Sequence, residues 1–301
     1  MISMIIIHMM GGLGNQLYQY ALYEKLKSLG KDVKLDITEY KEAGLEWRNF
    51  ELGKFPKLQY EIATQQDRRQ LLDNSLAFTS RIRRKLFGRR DKTIKETKDY
   101  GYMPEIFEMD NVYLYGFWDC EKYYEDMIPT LQDKLQFPIS SNPANQTCIE
   151  QMKKENAVSI HIRRTDYLTV AGGARYTGIC TDAYYSGAMA YIENRISNPV
   201  YYIFSDDREY AREHFKQTNM HIVDWNVEQD AIYDMQLMSC CKHNICANST
   251  FSMWGARLNR SPDKLMIRPL RHDNYETLTT TEVKQNWKKW ILLDENGRAC
   301  E

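Results

Sequence analysis

The chain carries almost no net charge, a formal −1 left by 40 basic and 41 acidic residues. A protein chosen by nucleic acid through its global field has a strong basic excess, so that class has no compositional support. No CxxC pair and no secreted-scaffold spacing is present; the cysteines are an odd, scattered set of seven at Cys120, Cys148, Cys180, Cys240, Cys241, Cys246 and Cys300. Reduced thiols in a cytoplasmic compartment are expected in place of a disulfide framework. A long apolar run is missing too. The opening MISMIIIHMMGGLGNQ lacks a basic leader, is too short to span a bilayer and meets glycines where a secretory signal would continue, so it is expected as a first strand. Without such a signal, the sequons at Asn145 and Asn248 are taken as coincidence. Tandem repeats and low-complexity tracts are absent.

Core material is plentiful: 43% of the 301 residues are apolar, enough for two domains of ordinary size. The apolar spacing predicts strands at Ile5–Met9, Val33–Ile37 and Val112–Trp118, with helices at Leu17–Leu29 and Tyr123–Leu135. Residues 40–99 are polar and partly helical, an expected insertion over the sheet edge. Pro138 to Pro143 carries two prolines and small polar residues and marks a turn or a domain junction, and the chain is expected to divide there into residues 1–142 and 143–301. Beyond it strands are expected at Val158–Ile162, Val200–Phe204, Ile222–Val223, Asn244–Cys246 and Leu265–Ile267. Helices fall between them near Asp182–Ile196, Arg208–Phe215, Ala231–Met238 and Phe251–Leu258. Such alternation implies α/β units with parallel sheets covered on both faces.

Polar clusters gather where these strands end, the place at which open α/β sheets bind ligands. The first follows the opening strand as Gly12-Leu13-Gly14-Asn15-Gln16-Leu17, with Asp36 about 20 residues on, as in a dinucleotide-binding turn. Leu17 stands where that turn needs its third glycine, which weakens a nicotinamide-dependent oxidoreductase reading. Small residues still let backbone amides face an anion, and Asn15 and Gln16 add side-chain amides. A tight turn that needs glycine only for its backbone is the plainer alternative.

The run AVSIHIRRTDY ends a buried strand in His161, Arg163, Arg164 and Asp166. An arginine fork matches phosphate oxygens, so one of the pair suits a diphosphate while the other orders the loop through Asp166. His161 is either a satisfied core histidine or a ligand contact. Ser205-Asp206-Asp207 closes the next strand. Two acids suit a divalent metal or a guanine edge, while a helix N-cap explains one of them and not both. The third strand end, Asn248-Ser249-Thr250-Phe251-Ser252, offers more hydroxyl and amide donors than one cap requires, ahead of a helix whose start can take phosphate oxygens.

Taken in order and spacing, GGLGNQ, HIRRTD, SDD and NSTFSMWGA resemble glycosyltransferase family 11, the bacterial and animal α-1,2-fucosyltransferases, over nearly the whole chain. The resemblance implies a GT-B fold: two Rossmann-like domains with parallel sheets facing across a cleft, the acceptor side in residues 1–142 and the donor side in 143–301, which closes on a terminal helix. It implies GDP-β-L-fucose as donor, no metal or other cofactor, and a galactose-terminated oligosaccharide or lipid-linked glycan as acceptor. It implies that Arg163 binds the β-phosphate and that His161 and an acid of the Asp206-Asp207 pair contact guanosine. Ser252 with Ser249 and Thr250 would hold the pyrophosphate. Gly12, Gly14, Asn15 and Gln16 would line the opposite wall near the fucose, and Arg164, Asn248 and Phe251 complete the donor set. Met253 departs from the tryptophan frequent in the family.

Loss of GDP leaves charge on a diphosphate, so arginine and hydroxyl donors favour the transition state, and an inverting attack needs the acceptor hydroxyl to lose its proton. Asp166 is the expected base with Asp36 as an alternative, unless Asp166 pairs with an arginine. Acceptor choice is assigned to residues 40–99 and to Ala171–Tyr176. A fucosyltransferase of another linkage and a nonenzymatic GDP-sugar binder are the competing readings beside the oxidoreductase. The basic stretch at 80–90 is expected as a solvated face. If Ile82, Leu86 and Phe87 share one helical side, it would instead rest on an anionic membrane, placing a cytoplasmic protein peripherally on the inner face.

Overall fold

In the computed structural model, which describes residues 3–42, 49–73, 78–88, 91–97, 100–169 and 173–300, the chain folds as two α/β units. One runs to Gly53 and resumes over Lys57–Pro129; the other takes Lys54–Pro56 and the chain from Thr130 onward.

The first unit is built on a four-stranded sheet in the order β2-β1-β4-β3, from β1 (Met4–His8), β2 (Asp32–Asp36), β3 (Thr93–Lys95) and β4 (Val112–Tyr115). All three pairings are parallel. β1 passes through Gly11, at φ +78 the left-handed turn that glycine tolerates, into α1 (Leu13–Ser28). The helix therefore starts four positions before the expected Leu17, and Gly14, Asn15 and Gln16 lie in its first turn. Gly12 is its extended N-cap. Residues expected as an insertion contribute α2 (Thr38–Glu42), α3 (Gln65–Leu71) and α4 (Phe78–Phe87), then close the sheet with β3 as its edge strand. The capping box Thr64/Asp67 starts α3.

α5 (Ile128–Lys134) runs across the division at Pro129–Thr130, and α6 (Pro143–Met152) follows in the second unit. Gln132 in α5 donates to the carbonyl oxygens of Arg257 and Asn259 at 2.7 and 3.1 Å, which ties this helix to the second unit, ahead of the expected Pro138–Pro143 junction. That junction ends in a helix start: Asn142 caps the Ala144 amide at 2.9 Å and Pro143 takes the first turn. There follow β5 (Asn156–Ile162), α7 (Thr165–Thr169), α8 (Gly173–Tyr176), α9 (Asp182–Glu193), β6 (Pro199–Ser205), α10 (Arg208–His214) and β7 (Met220–Val223). The chain continues through α11 (Ala231–Cys240), β8 (His243–Ile245), α12 (Thr250–Leu258), β9 (Met266–Pro269), α13 (Thr280–Asn286) and β10 (Ile291–Leu293). The expected terminal helix corresponds to α13, which is followed by an edge strand.

The six-stranded sheet is parallel throughout, in the order β10-β9-β8-β5-β6-β7. From β5 the chain lays down β6 and β7 on one side, then returns to build β8, β9 and β10 on the other. The direction of growth reverses between β5 and β8, and ligands bind at such a switch point, outside the carboxyl ends of the strands. Strand alternation sends Val158, Ile160 and Ile162 into the core shared with Tyr184, Tyr185, Ala188 and Ile192 of α9. Ala157 faces the opposite core, with Met152 of α6 and Leu237 and Met238 of α11.

α9 approaches the turn after β10 through a glycine pair. A Cβ on Gly187 would stand 2.3 Å from the Gly297 carbonyl oxygen, and Gly297 itself sits at φ +76. Gly187→Ala is expected to lower unfolding stability by about 1–3 kcal/mol, since backbone cannot move aside as a side chain can. Urea denaturation against wild type checks this; an unchanged midpoint would show that the turn is free to shift. All seven cysteines are free thiols.

Candidate functional site

Ile162 pairs with Ser205 across β5 and β6, so the residues that follow, Arg163-Arg164 and Asp206-Asp207, emerge side by side. Asp206 accepts the Arg164 amide at 2.9 Å and the Thr165 hydroxyl at 2.7 Å, and it faces Arg163 Nε at 3.2 Å. Asp207 is the N-cap of α10, accepting the Tyr210 amide at 3.0 Å and Arg164 Nε at 3.1 Å. The Tyr210 amide, and after it Arg164, hold the Asp207 carboxyl below its ordinary value. The Arg164 guanidinium lies 3.8 Å above the Tyr210 ring. Each of the four carboxylate oxygens thus has a donor within the protein. The two arginines divide in kind. Arg164 is held by an acid and an aromatic face, whereas Arg163 meets Asp206 through Nε, with 36% of its side chain exposed.

His161 points to the face of the sheet opposite Ile162 and lies 6.0 Å from the Phe251 ring. It is 6% exposed, and Nδ1 has no hydrogen-bond partner among the described residues. Burial, reinforced by the Arg163 charge, pushes its pKa down to about 3, so the ring is neutral at physiological pH. A neutral imidazole with an unsatisfied buried nitrogen suits a ligand contact better than proton transfer.

Beyond β8, Ser249 takes the N-cap position of α12 with extended backbone and makes no side-chain cap bond. The Ser249 hydroxyl is therefore not used as a cap. The first helical bond runs from the Met253 amide to the Ser249 carbonyl at 3.2 Å, so the amides of Thr250, Phe251 and Ser252 have no helical acceptor. No acidic residue sits in this first turn, and the Ser252 hydroxyl donates back to the Ser249 carbonyl at 3.1 Å. Such a helix start favours an anion.

Asn248 differs from its neighbours. Its Nδ2 donates to the carbonyls of Tyr176 and His272 at 3.1 and 3.0 Å, its Oδ1 accepts from the Cys180 thiol, and its own carbonyl accepts the Tyr167 hydroxyl at 2.9 Å. It ties the segments after β5 and β9 together and presents no amide outward. Arg175 and Asp273 pair at 2.5 Å between the same segments. Ala171 lies outside the described residues, as do Val170 and Gly172; Asp166 is in α7, but its side chain is likewise outside them.

A buried network that the sequence does not announce joins α6 to α11. Asn145 and Asn226 exchange reciprocal amide bonds at 2.9 Å, Asn226 donates to Asp234 at 2.8 Å, and the Trp225 indole donates to Asn145 at 2.8 Å. Both sequon asparagines, Asn145 and Asn248, are buried with their amides bonded. Burial pushes the Asp234 carboxyl up to about 7 against the opposing Asn226 bond. A carboxyl raised on folding stabilises the protein in its protonated form, fully below about pH 4, and that contribution is lost as pH rises through 7. Asp234→Asn is expected to remove a pH-dependent contribution on the order of 4 kcal/mol between those limits. Buried His161 and His272, both lowered on folding, act in the opposite sense as pH falls below their ordinary range. The check is therefore the difference between wild-type and variant urea midpoints at pH 5 and pH 8; parallel curves would refute it.

In the first unit Gln16 is fully buried, its amide donating to the carbonyls of Gly11 and Asn49 at 3.1 and 2.9 Å while Oε1 accepts the Glu51 amide at 2.8 Å. It fixes the chain near residue 50 and is not presented as a donor-site amide. Gly14 is buried within α1, and Asn15 packs under Gly11. Asp36 is 1% exposed; it accepts the Thr38 amide and hydroxyl at 3.0 and 2.7 Å and the Tyr113 hydroxyl at 2.7 Å. The bonds continue from Tyr113 to His8 Nδ1 at 2.7 Å and from His8 Nε2 to Glu39 at 2.8 Å. Sequence reasoning missed His8, Tyr113 and Glu39, which lie in separate elements with no shared motif. Among the described residues no three His, Cys, Asp or Glu side chains cluster to hold a metal ion.

An arginine, a neutral histidine and an uncapped helix start gather around the switch point of a doubly wound sheet, a set suited to an anion. Residues 4–292 match the family model of glycosyl transferase family 11, and the chain belongs to that family. It is 28% identical over 301 residues to an alpha-1,2-colitosyltransferase of Escherichia coli, spanning 97% of this chain and 100% of that one. The O-antigen biosynthesis glycosyltransferase WbnK of Escherichia coli is 29% identical over 280 residues, 86% of this chain and 91% of its own. Human galactoside alpha-(1,2)-fucosyltransferase 1 is 32% identical over 104 residues, 34% of this chain and 28% of its own. Among solved structures, NodZ alpha-1,6-fucosyltransferase soaked with GDP-fucose aligns with a TM-score of 0.45 at 13% identity, covering 86% of this chain and 93% of that one.

Proposed function

We propose that the chain transfers L-fucose from GDP-β-L-fucose to the 2-hydroxyl of a terminal β-galactose, with inversion, forming a Fuc-α1,2-Gal linkage. The observation that carries this reading is Arg163, which follows β5 directly with 36% of its side chain exposed, beside the strand that leads into the uncapped start of α12. Both suit the charge that develops on a departing diphosphate. The buried Nδ1 of His161 gives the nucleotide a further contact. GDP is a good leaving group, so no strong general acid is needed, and the acceptor proton is assigned to Asp166. Asp36 is closed to that role by its own hydrogen bonds. Membership of the glycosyltransferase family sets aside the oxidoreductase reading. Relatives with α-1,2 in their names support the linkage.

A second donor merits direct comparison, because the relative matched over 97% of the chain is named for colitose. The test incubates the protein with GDP-fucose or the corresponding colitose nucleotide, over a panel of β-galactosides and other glycosides, and determines the linkage in the product. Fucosyl transfer to O2 of galactose, undiminished by excess EDTA, is expected. Product only from colitose, only at another hydroxyl, or only with added metal would overturn the corresponding part.

A further inference from the structure

α4 is inside out. A surface helix normally turns its apolar stripe to the core and its charges to water. In FTSRIRRKLF no residue is buried, and Phe78, Ile82 and Leu86, spaced by four along one side, are 76, 44 and 68% exposed. Phe87 at the helix end is also exposed. At 100° per residue, Ser80, Arg83 and Arg84 fall on the other side, and these three are the half-buried ones. Arg83 and Arg84 both pair with the Asp73 carboxylate, and Arg84 Nη1 also donates to the Asp73 carbonyl at 3.2 Å. Ion pairs hold the helix down, while its apolar side faces away from the unit.

We propose that this side of α4 docks on an anionic lipid bilayer. Charge chooses the occupant. Residues 78–88 contain Arg81, Arg83, Arg84 and Lys85 and no acid, and Arg81 and Lys85 are exposed beside the apolar stripe. Phe78, Ile82 and Leu86 enter the headgroup boundary while Arg81 and Lys85 meet lipid phosphates. A second copy would bring the same cations against each other. The contact is peripheral, since no helix among the described residues is long and apolar enough to cross a membrane. It uses no residue of the donor site, so it holds or fails whatever sugar the protein transfers.

The experiment is co-sedimentation of the full chain with phosphatidylcholine vesicles and with phosphatidylcholine–phosphatidylglycerol vesicles, beside gel filtration without lipid. Wild type is expected to bind the anionic vesicles about tenfold more strongly than the neutral ones, and to be released by high salt. A Phe78→Ser/Leu86→Ser variant and an Arg81→Ser/Lys85→Ser variant should each lose about tenfold in partitioning while unfolding at the wild-type temperature. Equal partitioning of wild type and both variants would overturn the proposal. So would a wild type that ignores anionic vesicles, or one that dimerises without lipid through a contact that Phe78→Ser/Leu86→Ser abolishes.

Discussion

Arg163→Ala is expected to lower kcat for fucosyl transfer by about 10²–10³-fold, the usual effect of removing one donor from a developing anion. The fold should survive. Asp206 keeps the Arg164 amide and the Thr165 hydroxyl, so the turn after β5 remains pinned when Arg163 is gone. Arg163→Lys returns the charge without the fork and should recover only part of the rate. Arg164→Ala is the contrasting control. It removes the bond to Asp207 and the contact over Tyr210, so its larger effect should fall on thermal stability. Steady-state kinetics with GDP-fucose and a galactoside, paired with melting temperatures, separate the two. Near-normal kcat in Arg163→Ala would remove this residue from the reaction; a collapse in its melting temperature would make it a structural residue.

That division between adjacent arginines marks how far the sequence reaches. The strand ending in His161-Ile162 was legible because period-two apolar spacing needs only local chemistry, and the same holds for the strand before Asp206. Partner choice was not legible. That Asp206 pins the amide of Arg164, and Asp207 its guanidinium, depends on β5 and β6 lying in register, a fact spread over more than forty positions. The glycine loop shows the opposite error. GGLGNQ was expected to hold its amides in a loop, but Gly11 alone makes the turn and the helix takes Gly14, Asn15 and Gln16 into its first turn. The prolines and small polar residues of Pro138–Pro143 suit a turn, a junction or a helix start alike, and the Ala144 amide on Asn142 shows that the segment ends in a helix start. On α4 the apolar spacing was visible, while the direction it faces was set by Asp73, outside the helix.

Asn248→Ala should be the most damaging change near the site that touches no substrate. Two carbonyls, that of Tyr176 part-buried and that of His272 buried, would lose their donor together, at about 2–4 kcal/mol of unfolding stability. The segments after β5 and β9 would then be free to part beside Ser249, and transfer should fall as the α12 start loses its setting. Asn248→Asp is the sharper probe. A carboxylate keeps the shape and the acceptor but donates nothing to either carbonyl, so it should be at least as destabilising as alanine. A direct phosphate ligand gives a different pattern: a raised KM for GDP-fucose with an unchanged urea midpoint. That outcome would return Asn248 to the donor-binding role the sequence suggested. A lowered midpoint in both variants would make it the residue that holds the site's loops in place, with Arg163 and the α12 amides left to meet the diphosphate.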